Sequence, residues 1–251
     1  MLITRQLCAS DGSTHVERIR AAPHGADWGP LHEATQWRCV LPGHGHVYWR
    51  NAREFVYVDA LTAFRLSPGD TYQLQHRGTR DHHVLYSGTR QVVASTGRAW
   101  LLRPRELFEV KRALAQLRRG EIDVASAGAA ARSAVERAAS LQVAEPSLPV
   151  LRARQSVASA GARHLDVQAL AEEARCSPFH LAHLFRRHLG TSPHQYRLHL
   201  RIADALQRLE DGGTRLADLA FDLGFSSQSH FGQAFRQAVG CTPRQARTAL
   251  R

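Results

Sequence analysis

The chain has 251 residues, 43% of them hydrophobic, with 33 Lys and Arg against 22 Asp and Glu and a formal net charge of +11. That apolar content excludes wholesale disorder and suits one large domain or two ordinary ones, while the charge calls for a polyanionic partner. Four scattered cysteines (Cys8, Cys39, Cys176 and Cys241) with no C-x-x-C pair argue against a disulfide framework or zinc site, and the absence of a long apolar run predicts a cytoplasmic protein with no membrane partner.

The first hundred residues hold most of the aromatics and many turn signals. Pro42-Gly43, Asn51 and Ser67-Pro68-Gly69-Asp70 punctuate short runs. Those runs are Val47-Tyr48-Trp49, Glu54 to Val58, Leu61 to Leu66, Thr71 to Leu74 and His83 to Tyr86. Short, regularly spaced strands predict a small β-sandwich or barrel. From about Pro104 the pattern turns helical. Leu107, Val110, Leu114 and Leu117 fall at helical spacing before Gly120. Residues 121 to 144 are Ala-rich and predict one long or broken helix, suited either to helix–helix approach or to packing on the barrel. Glu145-Pro146-Ser147-Leu148-Pro149 reads as a linker, and short helices follow it.

The last hundred residues repeat themselves. Phe185-Arg186, Gly190, Pro193, Gln195 and Arg197 recur fifty positions later as Phe235-Arg236, Gly240, Pro243, Gln245 and Arg247. Upstream, Leu170-Ala171 recurs as Leu219-Ala220 at an offset of 49, so one turn is a residue longer. Each copy has a short helix, a tight turn and a second helix, with Ser177 or Ser227 placed to cap the second helix. Pro178 fits the first position of that helix, where its missing N–H costs nothing. This is the grammar of a helix-turn-helix. The helix from about Pro193 to Leu209 would join the two units and set their second helices about 34 Å apart, one turn of duplex.

An α-helix enters the major groove and reads base edges from its N-terminal, outward positions. Candidates on that face are Ser177, Phe179, Ala182, His183 and Arg186 in the first copy, with Arg187 beside them. In the second copy they are Ser227, Gln228, Ser229, Gly232, Gln233 and Arg236. Gln and Ser suit base edges, Phe179 suits a thymine methyl, and the arginines suit phosphates.

These residues resemble the C-terminal domain of the AraC/XylS transcription regulators over about residues 150–251. The second copy carries most of the likeness, in Leu219-Ala220, Gly224-Phe225, His230-Phe231, Phe235-Arg236, Gly240, Thr242-Pro243 and Arg247. Arg201 followed by Ala205 matches in the joining helix. The resemblance implies a seven-helix reader of double-stranded DNA and activation through RNA polymerase. Two positions depart from the pattern: Arg175 stands where the family has Gly at the first turn, and Ala246 replaces an aromatic.

The expected fold is α+β. Residues 1–103 form a cupin-like sensor barrel, 104–145 are linker and dimerisation helices, and 150–251 are the all-α DNA-binding domain with two helix-turn-helix units. The family resemblance implies a small-molecule effector for the barrel and allows a homodimer. Trp37, Tyr48, Trp49, Tyr57, Tyr72 and His76 are the aromatic and polar candidates to line an effector pocket. His44 and His46 form a His-x-His pair of the kind metal-dependent cupins use, but the Glu expected a few residues on is missing, so neither metal nor any other cofactor is expected. No catalytic residue emerges. Two competing readings are a cupin-type metal enzyme fused to a DNA-binding domain and a DNA binder that needs no ligand.

Overall fold

The computed structural model describes residues 3–21, 27–76, 81–89, 97–141, 147–159 and 166–251. The chain divides into two compact units, residues 1–102 with 109–145, and residues 103–108 with 146–251.

The first unit is built of antiparallel strands. They are β1 (Ile3–Ser10), β2 (Thr14–Ala21), β3 (His32–Glu33), β4 (Trp37–His44), β5 (Val47–Arg50), β6 (Phe55–Val58), β7 (Thr62–Leu66), β8 (Thr71–His76), β9 (Asp81–Gly88), β10 (Ala99–Leu101) and β11 (Ala139–Leu141). Helices α1 (Pro104–Arg118) and α2 (Val124–Glu136) lie between the last two strands in sequence. Among the described residues the strands make two sheets and not a closed barrel: β1-β2-β9-β4-β7-β10-β11 and β3-β8-β5-β6.

Alternation along the strands sorts side chains to the two faces of the large sheet. Cys39, Leu41, Ala63, Tyr86 and Trp100 pack with Val110, Leu114 and Leu117 of α1 and with Ala127, Ala131, Ala134 and Val135 of α2. Their neighbours Val40, Phe64 and Ala99 pack the other way, against Trp49, Val56, Val58 and Tyr72 of the small sheet. The unit is thus three layers, helices on a large sheet on a small one.

Turn chemistry follows the sequence where side chains bond locally. Asn51 Oδ1 accepts from the N–H groups of Arg53 and Glu54 at 2.8 and 2.7 Å, closing the β5–β6 turn. Asp70 accepts from the N–H of Ser67 at 2.6 Å across Gly69, whose φ is +84°. Pro42-Gly43 makes no turn. It lies inside β4, where the register with β9 shifts between Leu41 and His44, as a proline without an N–H requires of a paired strand.

The Ala-rich stretch also differs from expectation. Its helix stops at Glu136, and Ala139 to Leu141 return as β11 along β10. The small side chains let α2 lie close on the sheet, with Ala127 and Ala134 fully buried. The Ala face therefore packs within this unit.

Among the described residues of 147–251 the helices are α3 (Leu148–Ser159), α4 (Val167–Ala174), α5 (Pro178–Leu189), α6 (Pro193–Asp211), α7 (Leu216–Asp222), α8 (Gln228–Val239) and α9 (Pro243–Leu250). Ser177, Ser192, Ser227 and Thr242 each accept a hydrogen bond from the backbone N–H three residues on, at 3.1–3.3 Å. Each cap satisfies a donor that the first turn leaves open. Tyr196, Ile202, Ala205, Leu206 and Leu209 of α6 are buried and run through this unit's core.

Candidate nucleic-acid interface

The repeat in sequence is a repeat in structure. Residues 181–190 and 231–240 have the same succession of buried, intermediate and exposed positions. Leu181, Phe185 and Leu189 are buried in α5, as are Phe231, Phe235 and Val239 in α8. Periodicity near 3.6 then leaves one outward face on each helix.

The turn before each of these helices is also duplicated. Cys176 N–H donates to Ala171 O at 3.0 Å, and Arg175 N–H to Glu172 O at 2.9 Å. In the second copy Phe225 N–H donates to Ala220 O at 2.9 Å, and Gly224 N–H to Phe221 O at 2.8 Å. Both are Schellman closures, which need a left-handed residue just past the helix. Gly224 supplies it with φ +73°. Arg175, which stands where the resembled family has Gly, supplies it with φ +56° and is the one non-glycine at positive φ among the described residues.

Every candidate base or phosphate contact on α5 and α8 lies at the surface. Phe179, His183, Arg186 and Arg187 are exposed on α5, and Gln228, Ser229, Gln233 and Arg236 on α8. Phe179, at 86%, is the most exposed of the large hydrophobic residues. Ser177 and Ser227 have their hydroxyls engaged as caps. Nothing lies within 4 Å of where a Cβ would stand on Gly232, so α8 presents a flat strip beside Gln233. Burial and the neighbouring Arg187 lower the pKa of His188.

Sequence reasoning named His230 only within the family likeness and left out His180, which occupies the same exposed position in the first copy; the fifty-residue offset was the available signal. His230 is tied down by Ser226 Oγ at 2.9 Å from its Nδ1 and by its ring edge against Phe225. Other arginines of this unit are structural. Arg201 Nε donates to Leu223 O at 2.7 Å with its guanidinium 3.7 Å from the Phe225 ring centre, clamping the second turn. Arg247 donates to Thr214 O at 2.6 Å, and Arg154 Nε to Tyr196 Oη at 3.1 Å. Ala246 is fully buried at the repeat position of Tyr196.

The effector candidates divide between the two faces of the small sheet, with Trp49 and Tyr72 stacked on one and Tyr48 and Tyr57 paired on the other. Tyr48 and Tyr57 pair across β5 and β6 with ring centres 5.2 Å apart. Their strand neighbours Trp49, Val56 and Val58 face the large sheet, so these tyrosines lie on the opposite, outer face of the small one. Tyr72 packs between the sheets, and His76 shares its side of β8. Trp37 begins β4, with the Arg65 guanidinium 5.7 Å from its ring centre. His44 ends β4, and His46 follows the turn at Gly45, φ +88°, its ring against Tyr48 and Tyr57. Among the described residues no group of three or more His, Cys, Asp or Glu is placed to hold a metal, and no helix is long and apolar enough to cross a membrane.

A helix-turn-helix domain family matches residues 170–249. The virulence regulon transcriptional activator VirF of Yersinia enterocolitica is 45% identical over 64 residues, 26% of this chain and 24% of that protein. The arabinose operon regulatory protein of Salmonella typhimurium is 32% identical over 84 residues, 34% of this chain and 30% of that protein. A solved Chromobacterium violaceum regulator with an AraC-type DNA-binding domain aligns with 40% of this chain and 89% of its own, at 29% identity and a TM-score of 0.39. The chain spans less than a third of the length of these curated relatives. With its duplicated turns, the chain therefore carries, over residues 170–249, a helix-turn-helix domain.

Proposed function

We propose that the protein is a sequence-specific transcription regulator that grips double-stranded DNA with α5 and α8. The observation that carries this reading is the identical burial register of the two helices, which turns two equivalent outward faces to solvent. On those faces Gln228, Ser229 and Gln233 hydrogen-bond base edges, Phe179 and His183 fill the first half-site, and Arg186, Arg187 and Arg236 hold phosphates. Ser177 and Ser227 fix each helix at its groove-entering end. The first unit serves as the sensor, whose small-molecule effector shifts how the two reading helices meet their operator. The family resemblance supports activation through RNA polymerase, a homodimer and a cytoplasmic location. The relatives that match are transcriptional regulators, which favours this reading over a cupin-type enzyme.

The experiment is selection of bound sequences from a random duplex pool with the full chain near physiological salt. Two short enriched blocks, centred about one helical turn or ~34 Å apart, are expected. Recovery of unenriched sequence refutes the reading.

A further inference from the structure

Between the two sheets of the first unit, basic side chains of β3 and β4 meet Tyr72 of β8. His32 of β3 pairs in register with Tyr72 of β8, their rings 5.5 Å apart. Arg38 of β4 shares the face of Val40, which points to the small sheet, and donates from Nη1 to Tyr72 Oη at 3.3 Å. Arg38 Nε and His32 Nε2 are both enclosed and have no hydrogen-bond partner. Among the described residues neither side chain has a carboxylate partner. Burial, and then the positive charge of Arg5, Arg38 and His76, lower the pKa of His32. Arg5 lies 3.8 Å from Glu17.

Enclosed donors without acceptors are costly, about 1–3 kcal/mol each and more on a cation. An arriving anion satisfies both donors. A guanidinium edge made of Nε and the adjacent NH2 forms two parallel hydrogen bonds to a carboxylate. In Arg38 the Nη1 is taken by Tyr72, which leaves the Nε edge for a ligand.

We propose that this cluster is a binding site for a small organic carboxylate, gripped by the Nε edge of Arg38 with His32 Nε2 as the further donor. One guanidinium edge and one imidazole match a single carboxylate. Trp49, stacked on Tyr72 with ring centres 6.2 Å apart, gives the ligand's carbon skeleton an aromatic neighbour. The inference rests on the sensor reading of the first unit and gives its effector a chemical class.

Full-length protein is titrated with acetate and with benzoate at constant ionic strength in chloride, following tryptophan fluorescence and the thermal midpoint. Both carboxylates are expected to raise the midpoint saturably, while neutral benzamide does not. Arg38→Met raises the midpoint of the unliganded protein, because it removes an uncompensated cation, and weakens benzoate binding by about tenfold or more. Arg38→Lys keeps the charge but loses the fork; it weakens binding several-fold and serves if Arg38→Met fails to fold. Three results overturn the site: no saturable carboxylate effect, an unchanged response in both Arg38 variants, or inorganic phosphate acting through Arg38 where carboxylates do not. A protein that takes benzoate through Arg38 yet selects no duplex overturns the regulator and keeps the site. One that selects duplex and ignores carboxylates loses the site alone.

Discussion

The duplicated turn offers an internally controlled test, because one Schellman closure is made with Arg175 and its copy with Gly224. At φ +56° and ψ +46° the Cβ of Arg175 crowds the following carbonyl, a strain of about 1–2 kcal/mol for a non-glycine residue. Arg175→Gly removes that strain but frees the unfolded chain, which offsets about 0.4–1 kcal/mol. The exposed Arg175 side chain has little packing to lose. The net expectation is a gain of about 0.5–1 kcal/mol, equivalent to a few degrees in the helical unit's midpoint. Gly224→Arg imports the same strain at φ +73°, offset by the same stiffening of the unfolded chain, with an expected net loss of about 0.5–1 kcal/mol. Urea unfolding of both variants, followed by far-UV circular dichroism, measures the pair. Shifts of opposite sign support the argument. Destabilisation by Arg175→Gly refutes it, and means that the Arg175 side chain makes a contact worth more than its strain.

Replacing the thymines of the first selected block with uracil removes only their methyl groups; wild type should bind about fourfold more weakly, near the 0.8 kcal/mol of one buried CH2, and Phe179→Ala should not distinguish the two duplexes. Gln233→Ala should relax base choice in the second block, losing about 1–3 kcal/mol of discrimination in competition binding. Arg186→Ala should instead weaken all sequences alike and flatten the slope of log affinity against log salt by about one. Burial pushes the buried His199 down to a pKa of about 4, while Gln195 Nε2 sits 2.8 Å from its Nε2. Between that value and the ordinary 6.5 the unfolded chain holds the extra proton. Stability of the helical unit is therefore full above pH 6.5 and falls toward pH 4, by up to about 1.4 kcal/mol per unit. His199→Gln should flatten that slope in urea midpoints measured across the same range.

Most of the helical unit was legible in the sequence because its signals are local. Caps at Ser177, Ser227 and Thr242, prolines at first helical positions and apolar residues three and four apart act within a turn or two of chain. The repeat then fixed which residues are equivalent, and the family resemblance, with Gly at the first turn, pointed to a left-handed Arg175. Turns with side-chain bonds, at Asn51 and at Ser67 to Asp70, were readable for the same reason.

The sheets were another matter. Their pairings join residues far apart in sequence: β9 lies between β2 and β4, and β11, beyond two helices, closes on β10. No local periodicity carries that information, so β1, β2 and the full length of β4 were not foreseen. A short Ala-Ser-Leu segment after a helix gave no sign that it would complete a sheet edge. The faces were likewise decided by tertiary structure. A tyrosine in a strand points to one side or the other according to register, and register put Tyr48 and Tyr57 on the far face of the small sheet, where both are buried, while Tyr72 went between the sheets. The same register brought Arg38 and His32, from separate strands, together around Tyr72. Sequence alone thus determined the helical unit, where structure follows from neighbours along the chain. Only the tertiary fold decided what the β unit encloses, because there each contact depends on a partner strand that the sequence does not name.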